Sequence, residues 1–416
     1  MKKIYYQIQM TATSPLRIGG GYSDQSDCDI LLDGRGVPFI PGSSIAGVLR
    51  DKLPKEDDKK RLFGDVEIST GKSTASKILV NDGITESVNP YISVRHGVGL
   101  DEWGTTIKGA KYDFQIAEVV EPFLSVLECD FDNQEDIVLM DKLLSDIAKN
   151  GLMVGARTRR GYGHLDCVIK RKIFEFPTEI DEWLEFNSFD KEAFDSAEDF
   201  NPIEVDDNTI NIEILFNLDG NFITSVKEAN AVVREDGTNP DNVTLKNIDG
   251  KPVIPGTVWA GAFRHHMISI IKDVPGIAIS EKEINRMFGK GDNPSDSTRS
   301  LILFNESVIE GGEPIVTIRN SIDRFTAAPT NGHLFVNESW HGGSSILSMR
   351  IEKGKVNKEL LNILSVAIMD LSNGLLPIGG GAGIGKGTIK ITSIKLNGLE
   401  KLDDLNNYVF NIEEGK

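Results

Sequence analysis

Four aspartates crowd one short stretch directly after a triple glycine: Asp24, Asp27, Asp29 and Asp33 follow Gly19-Gly20-Gly21. Carboxylates in such a turn can position a divalent cation such as Mg²⁺, or help to take the proton from an attacking hydroxyl, a ribose 2′-OH among them. A solvated acidic turn has the same composition, and both readings stand at this point. A glycine-rich stretch further along carries the opposite charge. Gly155-Ala-Arg157-Thr-Arg159-Arg160-Gly-Tyr162-Gly163 gathers three arginines on a backbone whose N–H groups can approach phosphate. The plain alternative is a turn with solvated arginines. Gly379-Gly-Gly-Ala-Gly-Ile-Gly-Lys386-Gly387 nearly reads as a nucleotide-binding P-loop, but Gly387 stands where Ser or Thr is required. It also lies after a helix and before a strand, the reverse of the order that cradles phosphate at a helix N-terminus. An NTPase is therefore not indicated. His265 and His266 have no counterpart elsewhere and His96, His164, His333 and His341 are scattered, so no His-driven acid–base pair is formed. No Cys or His cluster has zinc-site spacing.

What singles out one aspartate is an internal repeat. Asp33-Gly-Arg-Gly-Val-Pro-Phe-Ile-Pro-Gly-Ser43-Ser44-Ile-Ala-Gly-Val-Leu-Arg50 recurs as Asn247-Ile-Asp-Gly-Lys-Pro-Val-Ile-Pro-Gly-Thr257-Val-Trp-Ala-Gly-Ala-Phe-Arg264. Pro41 pairs with Pro255 and Arg50 with Arg264 at one constant offset of 214 residues. Leu62-Phe63-Gly64 recurs as Met287-Phe288-Gly289, and Asn150-Gly151 through Gly155 recurs as Asn373-Gly374 through Gly379, in the same order. The chain is a tandem duplication. The gapless offset sets Asp27 against Asp241.

The elements that must position these residues are the same in both halves. Alternating segments at Ile4–Ile18 and Ile210–Phe216 predict a first strand. A strand ending in Ile-Pro-Gly follows, with Ser43, Ser44 or Thr257 placed to cap a helix running through Arg50 or Arg264. Apolar residues at helical spacing (Ile137, Met140, Leu143, Leu144, Ile147; Leu360, Leu361, Leu364, Ile368, Leu371) predict a late helix stopped at Asn-Gly. A closing strand follows at His164–Lys170 and Thr388–Leu396. Strand, helix, strands, helix and strand make an α+β unit of ferredoxin-like, RNA-recognition-motif-like layout. Arg95–Asp101 to Tyr112–Phe114, and Arg319-x-x-x-x-Arg324-Phe325 to Leu334–Phe335, read as long hairpins with polar tips. Protruding hairpins of this kind usually serve function.

Composition sets the limits. At 416 residues the chain fits about two domains, and 39% hydrophobic with 26% charged residues is the balance of a soluble globular protein. No apolar run reaches membrane-spanning length and the N-terminus lacks the core of a secretory signal. Three separated cysteines, Cys28, Cys129 and Cys167, suit a reducing cytoplasm. A net charge of −18 gives no general footprint for nucleic acid. Much of the acid sits in residues 175–207, however, which read as a linker or surface insertion between a first domain at 1–174 and a second at 208–416.

Taken together, Ile18-Gly-Gly-Gly21, the Pro-Gly-Ser-Ser helix segment, the Arg319 hairpin and the Arg-rich glycine loop resemble the RAMP superfamily, specifically backbone subunits of type III CRISPR effectors. The tandem form resembles the fused backbone proteins of type III-D systems. The resemblance implies a domain that grips a guide RNA and a hairpin thumb that wedges into the guide–target duplex. It further implies an aspartate, here Asp27 and by the repeat Asp241, that promotes cleavage of target RNA by 2′-OH attack with a divalent cation. Implied RNA contacts are Gly19, Gly20, Gly21, Ser43, Ser44, Arg50, Arg95, Arg157, Arg159, Arg160, Tyr162, Arg264, Arg319, Arg324, Phe325 and Lys386. Implied partners are guide RNA, target RNA and other CRISPR effector subunits, with no membrane. A purely structural RNA-binding subunit and a guide-processing endoribonuclease of the same superfamily are the alternatives. The second half has Asp219-Gly220-Asn221 in place of the triple glycine and a lone Lys386 where the first half has arginines, so the two halves need not act alike.

Overall fold

A computed structural model describes residues 2–21, 28–67, 71–87, 90–100, 106–190, 192–205, 209–226, 240–289 and 298–412. The chain divides into two compact units: Met1–Thr158 with Tyr162–Asp207, and Asn208–Lys416 with Arg159–Gly161.

The first unit is built from β1 (Lys2–Ala12), α1 (Gly42–Lys52), α2 (Glu56–Phe63), β2 (Ile78–Val80), β3 (Tyr91–Leu100), β4 (Thr106–Glu118), β5 (Phe123–Phe131), α3 (Gln134–Asn150), β6 (His164–Glu175) and α4 (Ile180–Glu185). Its sheet runs β6-β1-β5-β2 with every neighbour antiparallel. Ile4, Tyr6, Ile8 and Met10 of β1 all point to one face and are fully buried there, as the strand period of two requires. They pack with Ile45 and Leu49 of α1 and Ile137, Met140, Leu144 and Ile147 of α3. β1 is shorter than its alternation predicts. Pro15 has no N–H for the ladder, and beyond it Leu16 leaves the sheet to exchange both backbone bonds with Ala117 of β4, at 2.7 and 2.9 Å.

The acid-rich residues after β6 are folded onto this unit. The segment around α4 covers the second face of the sheet, where Tyr5, Val126 and Phe174 pack with Phe194, Phe186 and Trp183. Trp183 donates its indole N–H to Tyr5 Oη at 3.0 Å. Burying these rings offsets the cost of holding so acidic a stretch in place.

The second unit repeats the plan with β7 (Thr209–Leu218), α5 (Gly256–Asp273), α6 (Glu281–Phe288), β8 (Ile302–Phe304), β9 (Glu313–Ile322), β10 (Pro329–His341), β11 (Ser344–Glu352), α7 (Lys358–Ser372) and β12 (Ile389–Leu396). Its sheet runs β8-β11-β7-β12, the same antiparallel order. Small details recur as well. Ser145 of α3 accepts the N–H of Ile203 at 3.0 Å, and Ser365 of α7 accepts that of Ile412 at 3.2 Å. α5 runs on through His265 and His266, and His266 meets Asp370 of α7 at 2.7 Å.

The expected serine and threonine caps are not formed. α1 and α5 begin at Gly42 and Gly256, with Pro41 and Pro255 in the cap position and no side-chain cap bond. Ser43 and Thr257 lie two residues past the cap position and Ser44 three, inside the first turn. The free N–H of Gly42 is taken instead by Asp82 Oδ1 at 2.7 Å, from 40 residues further along the chain.

Candidate nucleic-acid interface

In each unit a long hairpin stands apart from the main sheet: β3–β4 in the first and β9–β10 in the second. The segment carrying the candidate aspartate is stitched to the second strand of its hairpin. Gln115 of β4 donates its N–H to the Cys28 carbonyl at 3.0 Å, and Glu338 of β10 donates to the Asn242 carbonyl at 2.9 Å. Cys28 and Asn242 are therefore equivalent and keep the 214-residue offset of the repeat. Their sequence neighbours are Asp27 and Asp241. Asp27 lies outside the described residues. Asp241 is exposed, its carboxylate accepts the Val336 N–H at 2.8 Å, and its own N–H goes to the Val336 carbonyl at 2.7 Å.

The glycine-rich loops close against the stretch that follows the first strand of each unit. In the first, Val154 N–H bonds Gly163 O at 2.9 Å, Gly163 N–H bonds Pro15 O at 2.8 Å and Ala156 N–H bonds Arg17 O at 2.8 Å. In the second, Ile378 N–H bonds Gly387 O at 2.8 Å, Gly387 N–H bonds Asn221 O at 2.9 Å and Gly380 N–H bonds Ile223 O at 2.8 Å. Gly163 and Gly387 sit at φ +73° and +84°, and a Cβ there would lie 1.9 and 2.1 Å from a carbonyl oxygen, so only glycine closes this turn.

Charge is placed differently in the two loops. In the first unit Arg157 stacks 4.3 Å from the Tyr112 ring centroid and 4.9 Å from that of Phe114, and donates to Tyr112 Oη at 2.7 Å. Arg17 lies 4.4 Å from the same Phe114 ring. Burial, and then the charge of Arg157, hold the Arg17 guanidinium below its ordinary pKa. Tyr162 is buried edge-on against Phe114 at 5.7 Å. In the second unit Lys386 is only 5% exposed, and burial followed by the positive charge of Arg319 lowers its pKa. Arg319 is exposed on β9 opposite Phe335. At the tip, Asp323 Oδ1 accepts the N–H groups of Phe325 and Thr326 at 3.0 and 2.8 Å, and Phe325 is 94% exposed beside Arg324.

Other residues from the sequence reading are engaged in the fold. Arg50 donates to the Gly64 carbonyl at 3.0 Å and Arg264 to Asn285 Oδ1 at 2.8 Å. In each unit this arginine ties the first helix to the second. Arg95 is buried within its hairpin, 3.7 Å from Glu118. Arg159 pairs with Glu352, and Arg160 donates to the Phe288 carbonyl. Gly19, Gly20 and Gly21 are exposed and pair with Asp29–Ile30 as a short ladder. Sequence reasoning missed Arg17, Tyr112 and Phe114, since stacking across elements leaves no mark in residue spacing.

The family model of the RAMP superfamily matches residues 9–166 and again residues 219–390, which together exceed half of the chain. The chain belongs to the RAMP superfamily. The two matches fall one in each unit, so the duplication is a duplication of the RAMP domain. Comparison with curated proteins gives no match. Among the described residues no three His, Cys, Asp or Glu side chains converge as a metal site. The described carboxylates do not by themselves gather the several oxygen ligands that a resident divalent ion needs. No described helix is long and apolar enough to cross a membrane.

Proposed function

We propose that this RAMP protein is a guide-RNA-binding backbone subunit of a type III CRISPR effector, in a tandem-fused form like that of type III-D, and that it cleaves guide-matched target RNA at Asp27 and Asp241. The observation that carries the reading is the shared bonding of the aspartate-bearing segment to the hairpin in both units, through Cys28–Gln115 and Asn242–Glu338. In the second unit the same segment sets the Asp241 carboxylate against Val336 of the hairpin strand. The antiparallel order, with the closing strand beside the first, supports a ferredoxin-like palm. Base pairing would choose the target while the protein holds the backbone.

Cleavage in this reading is attack of a 2′-oxygen on the adjacent phosphorus. The P–O5′ bond breaks, leaving a cyclic phosphate and a 5′-OH. The aspartate helps to take up the 2′-OH proton, and the leaving oxygen is protonated from solvent. Mg²⁺ belongs to the proposal as a transient partner only, because the described side chains form no site for it. The second reading is a non-catalytic subunit that binds RNA and leaves cutting to its neighbours. Purifying the chain with its native complex tests the class. The account expects bound RNA of repeat-derived sequence with matching targets cut at fixed positions; a preparation free of such RNA would overturn it.

A further inference from the structure

Two arginines of the first unit share one aromatic ring. Arg17 and Arg157 stand 4.4 and 4.9 Å from the Phe114 centroid. Among the described residues neither forms an ion pair, and the Arg17 Nε is buried without a hydrogen-bond partner. Like charges so placed repel, and each loses hydration, so the arrangement is at its most stable with an anion between them. Arg157 also holds φ +59°, a conformation that costs a non-glycine residue about 1 kcal/mol.

The second unit shows what the same backbone does without these groups. The loop bonds that fall on Arg17 in the first unit fall on Ile223 in the second. Counting on from Gly155 and Gly379, the place of Arg157 is taken by Gly381, at φ +81°. The left-handed conformation is thus kept in both units, and the first alone fills it with a guanidinium. Strain retained beside guanidinium charges that no described carboxylate pairs points to a ligand.

We propose that Arg17 and Arg157 form a two-guanidinium clamp for a single phosphodiester, confined to the first unit and held open by the hairpin rings of Phe114 and Tyr112. Two planar forks suit phosphate better than a lone carboxylate. The second unit, with Ile223 and Gly381 there, has no such clamp and relies on Lys386 and Arg319. The inference rests on the RNA-binding reading for the source of the phosphate and not for its chemistry.

The test uses substitutions the protein itself supplies, Arg17→Ile and Arg157→Gly in the full chain, with Arg17→Gln as a polar control. Binding of a labelled single-stranded RNA is followed against salt. Each variant is expected to bind about tenfold more weakly and to lower the salt slope by about one. Unchanged affinity and slope in the variants would overturn the clamp, as would tighter binding, which would mean that the neighbouring acidic loop supplies the counter-charge. Inorganic phosphate separates the two ideas. If the parent chain ignores RNA yet is thermally stabilised by phosphate, and Arg17→Ile abolishes that shift, the clamp stands and the RNA reading falls. Equal phosphate response in parent and variants sinks the clamp whatever RNA does.

Discussion

Val336 and Asp241 exchange two bonds: the Val336 N–H reaches the Asp241 carboxylate at 2.8 Å, and the Asp241 N–H reaches the Val336 carbonyl at 2.7 Å. Both bonds come from the hairpin strand β10, so the carboxylate is fixed to the thumb. Asp241→Asn keeps an acceptor oxygen for Val336 and removes the charge. It is expected to leave thermal stability within about 0.5 kcal/mol while cutting at the second unit falls at least tenfold. A matching loss of stability would instead mark Asp241 as a structural anchor.

Lys386 titrates lower in the folded than in the unfolded chain, because burial and Arg319 oppose its charge. Between the two values the unfolded chain holds more protons, so stability rises as pH climbs from the depressed value toward the ordinary 10.5. RNA needs the charged amine, so affinity falls over the same window. Lys386→Met should raise the unfolding temperature at neutral pH, flatten the alkaline rise and weaken RNA binding about tenfold. Calorimetry and binding together check the opposed signs.

Phe325 is 94% exposed at the tip of β9–β10. Phe325→Ala is expected to change stability by less than about 0.5 kcal/mol and to cost about 1–2 kcal/mol in binding a guide–target duplex through lost stacking. Equal duplex affinity in parallel titrations would remove the hairpin tip from the interface.

Asp136 is fully buried between Lys77 Nζ at 2.6 Å and Arg61 Nε at 3.0 Å. Asp136→Ala strands two cations. Because both are about a third exposed, the loss is expected near the lower end for buried pairs, about 2–3 kcal/mol by denaturant unfolding.

The covering segment offers an internal contrast. Phe194 is 1% exposed beneath it and Phe189 is 77% exposed on it. Phe194→Ala should destabilise by about 3 kcal/mol and Phe189→Ala by less than about 0.5 kcal/mol. Equal effects would mean the segment is not part of the packed unit.

What the residues disclosed in advance was whatever repeats or alternates. Ile4 to Met10, the late helices stopped at Asn150 and Asn373, both hairpins and the pairing of the two halves follow from period and offset alone. The failures have local causes. Proline before glycine moved the helix start off Ser43 and Thr257, and Asp82, far along the chain, took the cap bond. The stretch 175–207 reads as a linker or surface insertion, and composition alone does not disclose that its Trp183, Phe186 and Phe194 pack on a sheet face. Arginines look alike in a sequence: only placement separates Arg50 and Arg264, which tie helices, from Arg17 and Arg157, which share the ring of Phe114.

The central claim is that each RAMP unit carries one cutting aspartate. Assembling the complex on a guide with Asp27→Ala, with Asp241→Ala and with both, and mapping the 5′-OH ends on matched target RNA, tests it most directly. The account predicts that each single variant loses its own subset of cuts and that the double variant loses all of them while still binding target. An unchanged cut pattern in the double variant would contradict it and leave the chain a non-catalytic RNA-binding subunit.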